Sequence, residues 1–262
     1  MLANALPHES THREGAGQVE DRRHPADSAA SIVGIKQSAI YIGFPAIVIN
    51  PMRDSKPEPR LPVVIALLAV GGIYTALPPS LIIGPRWLLL AIVIVLVIPA
   101  VISHRTGHHE LNRILGYVVS VVITLALVVS LLLLIKALPE KTESASALLR
   151  SAAALWLTNI LVFALWYWRL DAGGPHQRDR RKAHTEGAFL FPQMTQYAKA
   201  ADERNWSPVF IDYLFIAFNT STAFSPTDTP VLSRWAKVLT MVQATMSLLI
   251  VALLAARAIG IL

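Results

Sequence analysis

Long apolar runs alternate with short polar segments over most of this chain, and the pattern predicts a bundle of membrane-crossing helices. Each run is close to the ~20 residues that span ~30 Å of hydrocarbon at 1.5 Å per residue. The fold class is therefore all-α, a polytopic membrane helical bundle in a domain covering residues 61–262. The predicted spans are 61–83, 86–103, 113–136, 148–168 and 236–258.

One further apolar segment, even when extended to Phe224, barely reaches the lower length limit of a span. A Ser207-Pro208 pair predicts a helix start, because serine caps well and proline fits the first turn. We expect a short helix over 207–221, which either crosses as a sixth span or enters the membrane and returns. The bundle then has six or five spans.

A polar run follows this short helix and leads into the last span. Irregular backbone at membrane depth must be buried in protein or line water, and hydroxyl groups can satisfy it. We interpret the run as a pore-loop-like element, with an ordinary exposed turn as the alternative. Its residues are Asn219, Thr220, Ser221, Thr222, Ala223, Phe224, Ser225, Thr227 and Asp228. We also expect Asp228 to cap the last helix, near residues 231–233.

The first sixty residues differ in kind. They are mostly polar and poor in large apolar side chains, so they bury too little surface to offset their ordering entropy. We expect residues 1–60 to form a disordered or interfacial tail.

Composition supports the membrane interpretation. Hydrophobic residues make up 54% of the chain and charged residues 15%, and there is no cysteine. The net charge of +6 arises from tails and loops that flank apolar runs, which favours membrane orientation over nucleic-acid binding. We expect the basic cluster of Arg178, Arg180, Arg181 and Lys182 to be a solvated loop at an anionic lipid surface.

Charge distribution also predicts orientation. Seven Lys or Arg residues precede the first span and seven more fall within 169–204, so the positive-inside rule places the N-terminus in the cytoplasm. A re-entrant 207–224 segment then puts the C-terminus outside, whereas a crossing segment returns it inside.

Other candidate chemistry is limited. The segment 104–110 holds three histidines and Glu110, but without a second ligand pair we interpret it as a polar loop rather than a metal site. Asn159 and Gln243 fall within spans, where amides usually bond neighbouring helices. We expect no enzyme activity, no cofactor and no bound metal.

The C-terminal segment resembles the pore helix, filter and inner helix of the potassium-channel superfamily. The matching positions are Tyr213, Phe218, Thr220, Thr222, Phe224, Thr227 or Asp228, Pro230, Ala236, Leu239 and Arg257. Ala223 and Ser225 stand where that family's filter has glycines, which allow carbonyls to face the ion. The resemblance thus implies a degenerate, non-potassium-selective filter, and its outward-facing filter opposes the orientation given by the charge rule.

Several motifs over 61–262 also resemble a group of uncharacterised bacterial integral membrane proteins. They include "WLTN", "FALWYWRLDAGGP", "FLFPQM" and "TAFSPTDTPVLSRWAK". This resemblance implies a multi-pass protein of the cell inner membrane, in contact with membrane lipids. Two functions stay open: a channel-like or transport module, which requires a homo-oligomer, and a structural or accessory membrane protein that conducts nothing.

Overall fold

The computed structural model describes residues 58–140, 144–181, 186–194, 206–225 and 228–258. Over these residues the chain forms helices and no β-sheet, which confirms the all-α prediction. The helices are α1 (Leu61–Thr75), α2 (Leu88–Arg105), α3 (His109–Glu140), α4 (Ala145–Leu170), α5 (Pro175–Asp179), α6 (Phe210–Thr222) and α7 (Arg234–Ala258). Short 3₁₀ turns lie at Pro79–Leu81, Asp171–Gly173 and Pro192–Met194.

Helix α4 is the centre of the bundle. It contacts α1, α3, α6 and α7, and α2 packs between α1 and α3. The hydroxyl of Ser144 accepts a hydrogen bond from the amide of Ala147 at 3.2 Å and so caps the helix start. Phe163, Leu165 and Tyr167 are almost completely buried. Of the three span-length segments, the one formed by α4 is therefore the most enclosed.

Three helical segments among the described residues are long and apolar enough to cross a membrane. They are His109–Ala137, Ser146–Gly173 and Arg234–Ala256. Helices α1 and α2 are apolar but shorter; at 1.5 Å per residue the 15 residues of α1 extend about 22 Å. The structure thus supports a membrane protein, while the number of spans stays a prediction.

The first predicted span ends earlier than the apolar pattern indicated. Helix α1 stops at Thr75, because Pro78 and Pro79 have no amide hydrogen to donate and their rings obstruct the preceding turn. The chain then bends back toward α3, where Leu77 and Leu81 are buried. The predicted range 61–83 is therefore a helix followed by a packed irregular segment.

Helix α7 is polar on its inner face and apolar on its outer face. The exposed positions include Val238, Met241, Leu248 and Val251. The buried positions follow a helical repeat and include three polar residues: Ala236, Thr240, Gln243, Ser247 and Ile250. In water this arrangement would be reversed, whereas small and polar residues at helix contacts are typical of membrane bundles.

Helix α6 begins three residues after the predicted start signal at Ser207. The amide of Val209, the residue just before the helix, donates a hydrogen bond to Oδ2 of Asp212 in the first turn at 2.7 Å. With 13 residues, α6 extends about 20 Å, too short to cross a bilayer.

Candidate functional site

Helix α6 runs from the end of α4 to its middle. At the start of α6, the hydroxyl of Tyr213 donates to Oδ2 of Asp171 at 2.6 Å, just after α4 ends. In the last turn of α6, the hydroxyl of Ser221 accepts from Nδ2 of Asn159 at 3.4 Å. Asn159 lies at the middle of the span-length segment Ser146–Gly173. Helix α6 therefore stops halfway along the central helix.

The chain then returns to the end of α4 before α7 begins. The amide of Leu190 donates to the carbonyl of Pro230 at 2.9 Å, and that of Leu232 donates to the carbonyl of Ala188 at 2.8 Å. The amide of Ala188 in turn donates to Oδ1 of Asp171. Helices α6 and α7 thus both start at this end, and we call residues 223–225 and 228–231, which are described between them, the return limb.

A cluster of uncharged polar side chains joins α6 to α4 and α7. Gln243 donates from Nε2 to the carbonyl of Ala217 at 2.7 Å and to the hydroxyl of Ser221 at 2.9 Å. Its Oε1 accepts from the hydroxyl of Tyr167, and its carbonyl accepts from Nδ2 of Asn159 at 3.3 Å. We call this group, together with Ser247, the neutral cluster. It holds the three helices in register at mid-length.

Ser247 extends the neutral cluster by one turn of α7. Its hydroxyl donates to the carbonyl of Ser221 at 2.7 Å and accepts from Nε1 of Trp156 at 3.0 Å. Two buried polar atoms beside it, Oγ1 of Thr220 and Oδ1 of Asn159, have no hydrogen-bond partner among the described residues. The amides of Asn159 and Gln243 thus bond neighbouring helices, as the sequence predicts.

The predicted pore-loop-like residues divide between this helix and the return limb. Thr220 and Ser221 are buried on the inner side of α6, and Thr222 donates to the carbonyl of Phe218 at 2.9 Å. Asn219 lies in the same turn; Ala223, Phe224, Ser225 and Asp228 follow it and are exposed, and Thr227 lies outside the described residues. The structure therefore brings only part of the predicted element into the bundle.

The return limb starts with an unusual backbone conformation. Phe224 has a φ of 54°, in the left-handed region that commonly ends helices and normally favours glycine. The amide of Ala223 donates to the carbonyl of Asn219 at 2.8 Å and closes the last turn of α6. The aromatic residue that matched a potassium filter therefore stands where the helix ends.

The prediction that Asp228 caps the last helix is wrong, because α7 begins after residues 231–233, where we expected its first amides. The helix starts at Arg234, and the hydroxyl of Ser233 accepts from the amide of Ala236 at 3.3 Å. The amide of Leu232 is already bonded to Ala188. Asp228 is exposed on the return limb.

A second polar cluster, which carries charges, lies at the end of α4. Arg178 donates from Nη2 to Oε2 of Glu58 at 3.1 Å, and from Nη1 to the carbonyls of Trp168 and Asp171 at 2.7 and 3.0 Å. The expectation of a solvated loop is wrong for Arg178, which is only 3% exposed. Arg180 and Arg181 are exposed, as a solvated loop requires, Lys182 lies outside the described residues, and the anionic lipid surface stays a prediction.

Arg60 and Asp179 complete this charged cluster of four residues, together with Glu58 and Arg178. Nη2 of Arg60 donates to Oδ2 of Asp179 at 2.5 Å, and the amide of Glu58 donates to Oδ1 of the same carboxylate at 3.1 Å. Burial lowers the pKa of Arg60, although both nearby carboxylates oppose this effect. Residues 1–57 lie outside the described residues, so the tail prediction stays untested there, while 58–60 pack against the bundle.

A tight turn brings these charges together. Gly174 has a φ of 90°, and a Cβ there would lie 2.8 Å from the carbonyl oxygen of Arg169. Only glycine fits this turn comfortably, and it allows α5 to fold back so that Arg178 reaches Trp168. The "AGGP" turn signal was visible in the sequence, but the partner Glu58 is 120 residues away and carries no local signal.

An amphipathic cavity of about 480 Å³ opens beside the charged cluster. Residues of α1 and α2, among them Val64 and Ala100, form its apolar wall. Its polar wall comes from the first turns of α3, the end of α4 and the start of α5, and includes Arg169 and His176. This is within the usual size range of small-molecule sites.

The histidine-rich segment forms no metal centre among the described residues, where no three His, Cys, Asp or Glu side chains lie close enough to hold an ion. Instead His109 stacks on His176 with ring centroids 3.7 Å apart. Partial burial lowers the pKa of His176, and the charges of His109 and nearby arginines lower it further.

No family model, no curated protein and no solved structure matches this chain. The fold and the exposed apolar faces place it in the class of helical membrane proteins.

Proposed function

We propose that this chain is a multi-pass membrane protein with a channel-like re-entrant element, whose return limb lines a path in a homo-oligomer. Helix α1 together with the packed segment that follows it to residue 83 forms the first of five spans, α2, α3, α4 and α7 form the others, and α6 enters the membrane and stops halfway. One observation carries the proposal. Residues 222–225 lie level with the middle of α4, and all four are exposed. They include polar residues, and their backbone is irregular after Thr222.

Exposure at this depth requires a covering. Irregular backbone in contact with lipid costs several kcal/mol for each unpaired group, so it occurs where protein or water covers it. A single copy leaves residues 222–225 and Asp228 exposed, and Thr222, Ser225 and Asp228 place polar side chains there. Neighbouring copies around a shared axis would enclose the limb and give those side chains water.

The composition of the limb bears on which ions pass. No glycine occurs between Gly187 and Gly260, so a ring of filter carbonyls for dehydrated potassium is not supported. Hydroxyls and the Asp228 carboxylate favour hydrated cations without discrimination between sodium and potassium. We also propose a location in the cell inner membrane, with membrane lipids around the apolar faces of α3 and α7.

Flux through reconstituted liposomes tests this function. We expect similar sodium and potassium flux from an oligomer, and its loss in Ser225→Trp, which obstructs the limb. Thr245→Trp is the matched control, because Thr245 is an exposed hydroxyl residue on the outer face of α7. An absence of flux from a well-folded protein, or a monomer in native mass spectrometry, would instead favour a non-conducting accessory protein.

A further inference from the structure

Arg169 is a cation without a counter-charge. Its Nε donates to the hydroxyl of Ser120 at 3.1 Å, its only hydrogen bond to the described residues. The carboxylates nearby are already engaged, since Glu58 and Asp179 pair with Arg60 or Arg178, and Glu110 pairs with Arg113. No described carboxylate lies within ion-pair distance of Arg169.

The fold holds this guanidinium in place at the cavity wall. It lies 5.6 Å from the ring centre of Trp168 and 5.9 Å from that of Tyr117, which favours a cation but supplies no anion. Gly116 on α3 makes space for this guanidinium, because a Cβ at that position would lie 1.6 Å from Nη1 of Arg169. Both Gly116 and Arg169 line the cavity.

The opposite wall of the cavity is apolar. It is formed by Val63, Val64 and Leu67 of α1 and by Val97, Ala100 and Val101 of α2. A small hydrated anion would gain nothing from these side chains, whereas an alkyl chain would remove them from water. The cavity thus combines a free guanidinium with a wall suited to a hydrocarbon tail.

We propose that this cavity binds an anionic amphiphile, with a phosphate or carboxylate head at Arg169 and an alkyl chain along α1 and α2. A guanidinium offers parallel N–H donors that match both kinds of head group. The cavity lies beside the ends of the α3 and α4 span segments, the level at which lipid head groups meet basic pockets between helices. A membrane lipid and a free alkyl phosphate share this chemistry.

Thermal stabilisation of the full chain in a neutral detergent tests the proposal with three probes. Dodecyl phosphate carries head and tail, inorganic phosphate carries the head alone, and dodecanol carries the tail alone. We expect dodecyl phosphate to raise Tm at concentrations at least tenfold below those at which either partial probe acts. An equal response to inorganic phosphate or to dodecanol would overturn the proposal, because one wall of the cavity would then contribute nothing.

Nanodiscs separate a lipid from a free ligand as the source. Stabilisation in discs that contain an anionic phospholipid, relative to phosphatidylcholine discs, would support a membrane lipid as the occupant. Stabilisation only by added dodecyl phosphate would support a free amphiphile of the same chemistry. A lack of stabilisation by both overturns the site.

Two variants locate the binding. Arg169→Gln should weaken dodecyl phosphate binding about tenfold or more, since it removes a charge-assisted contact. Arg150→Gln, an exposed arginine near the other end of α4, should leave binding unchanged. Ala100→Phe fills the apolar side without altering charge, so it tests the site even if Arg169→Gln fails to fold. Unchanged affinity in Ala100→Phe, or in folded Arg169→Gln, would contradict the proposal.

Discussion

Helix α4 contributes to two buried polar clusters of different character. The neutral cluster lies at its middle and consists of amides and hydroxyls, whereas the charged cluster lies at its end and contains four ionisable side chains. Both depend on hydrogen bonds between residues distant in sequence, such as Asn159 with Gln243 and Arg178 with Glu58. The difference matches the depth expected for each cluster in the membrane, with the neutral cluster near the centre and the charged cluster near the surface. An isolated charge costs far more free energy in hydrocarbon than a hydrogen-bonded amide does.

The same segregation holds along the other long helices. Ionisable residues of α3 occur at its ends, where Arg113 and Lys136 are the innermost, and in α7 the stretch between Lys237 and Arg257 has none. Between those limits the described hydrogen bonds that join one helix to another use neutral groups, apart from the bond of Arg169 to Ser120. The bundle thus has a central slab without charges, as a membrane core requires.

Breaking the charged cluster should have the largest effect on stability. Arg178→Met leaves Glu58 buried without its main partner, which we expect to lower the free energy of unfolding by about 3–5 kcal/mol. Arg180→Met is the matched control, since this exposed arginine should change stability by no more than about 0.5 kcal/mol. Thermal unfolding in detergent would compare them, and equal melting temperatures would refute burial of the ion pair.

Breaking the neutral cluster should have an intermediate effect. Gln243→Leu preserves volume but leaves the hydroxyl of Tyr167 without its partner and removes the bonds to Ser221 and to the carbonyl of Ala217, so we expect a loss of about 1–3 kcal/mol. Met241→Leu, on the exposed face of the same helix, should change little. A loss in Gln243→Leu as small as in this control would mean that the three helices are not joined through that amide.

Ser247→Ala should have a smaller effect. It removes one donor and one acceptor at the edge of the neutral cluster, and hydrogen bonds between membrane helices average about 0.6 kcal/mol. The same unfolding measurement, made on a Gln243→Leu, Ser247→Ala double variant, would sharpen the comparison. We expect non-additive losses, because Gln243 and Ser247 both bond to Ser221; simple additivity would place them in separate networks.

The weakest effect should come from pH at the charged end. The pKa of His176 is below its ordinary value of 6.5 in the folded protein, so the unfolded chain binds more protons between the two pKa values. Stability should therefore fall as pH drops below about 6.5 and then level off below the folded pKa. His176→Gln should flatten this slope in melting curves recorded from pH 7.5 to 5, and an unchanged slope would assign it to other groups.

The sequence was sufficient to predict where most of the helices lie, but not which residues they contact. Apolar runs predicted α2, α3, α4 and α7 to within a few residues, whereas the short run before Asn219 left open whether α6 crosses the membrane or re-enters it. Hydropathy could not place the end of α1, because Leu77 and Leu81 are apolar on both sides of the Pro78-Pro79 break.

Burial of charge was the part that local pattern could not reveal. Arg178 belongs to a run of basic residues that looks solvated, and only the turn at Gly174 directs it inward. Its carboxylate partner Glu58 lies in a segment predicted as tail. The cap at Ser233 was missed for a similar reason, since pairing of Leu232 with Ala188 postpones the start of α7.

The sidedness of α7 tests the re-entrant path most directly. The chain has no cysteine, so single cysteines at the exposed positions Arg150, Arg180 and Arg234 can be labelled with an impermeant maleimide in right-side-out and inverted vesicles. We expect positions 180 and 234 to react from the same side and position 150 from the opposite side. Reaction of position 234 together with position 150 would mean that α6 crosses the membrane, and would contradict the re-entrant element.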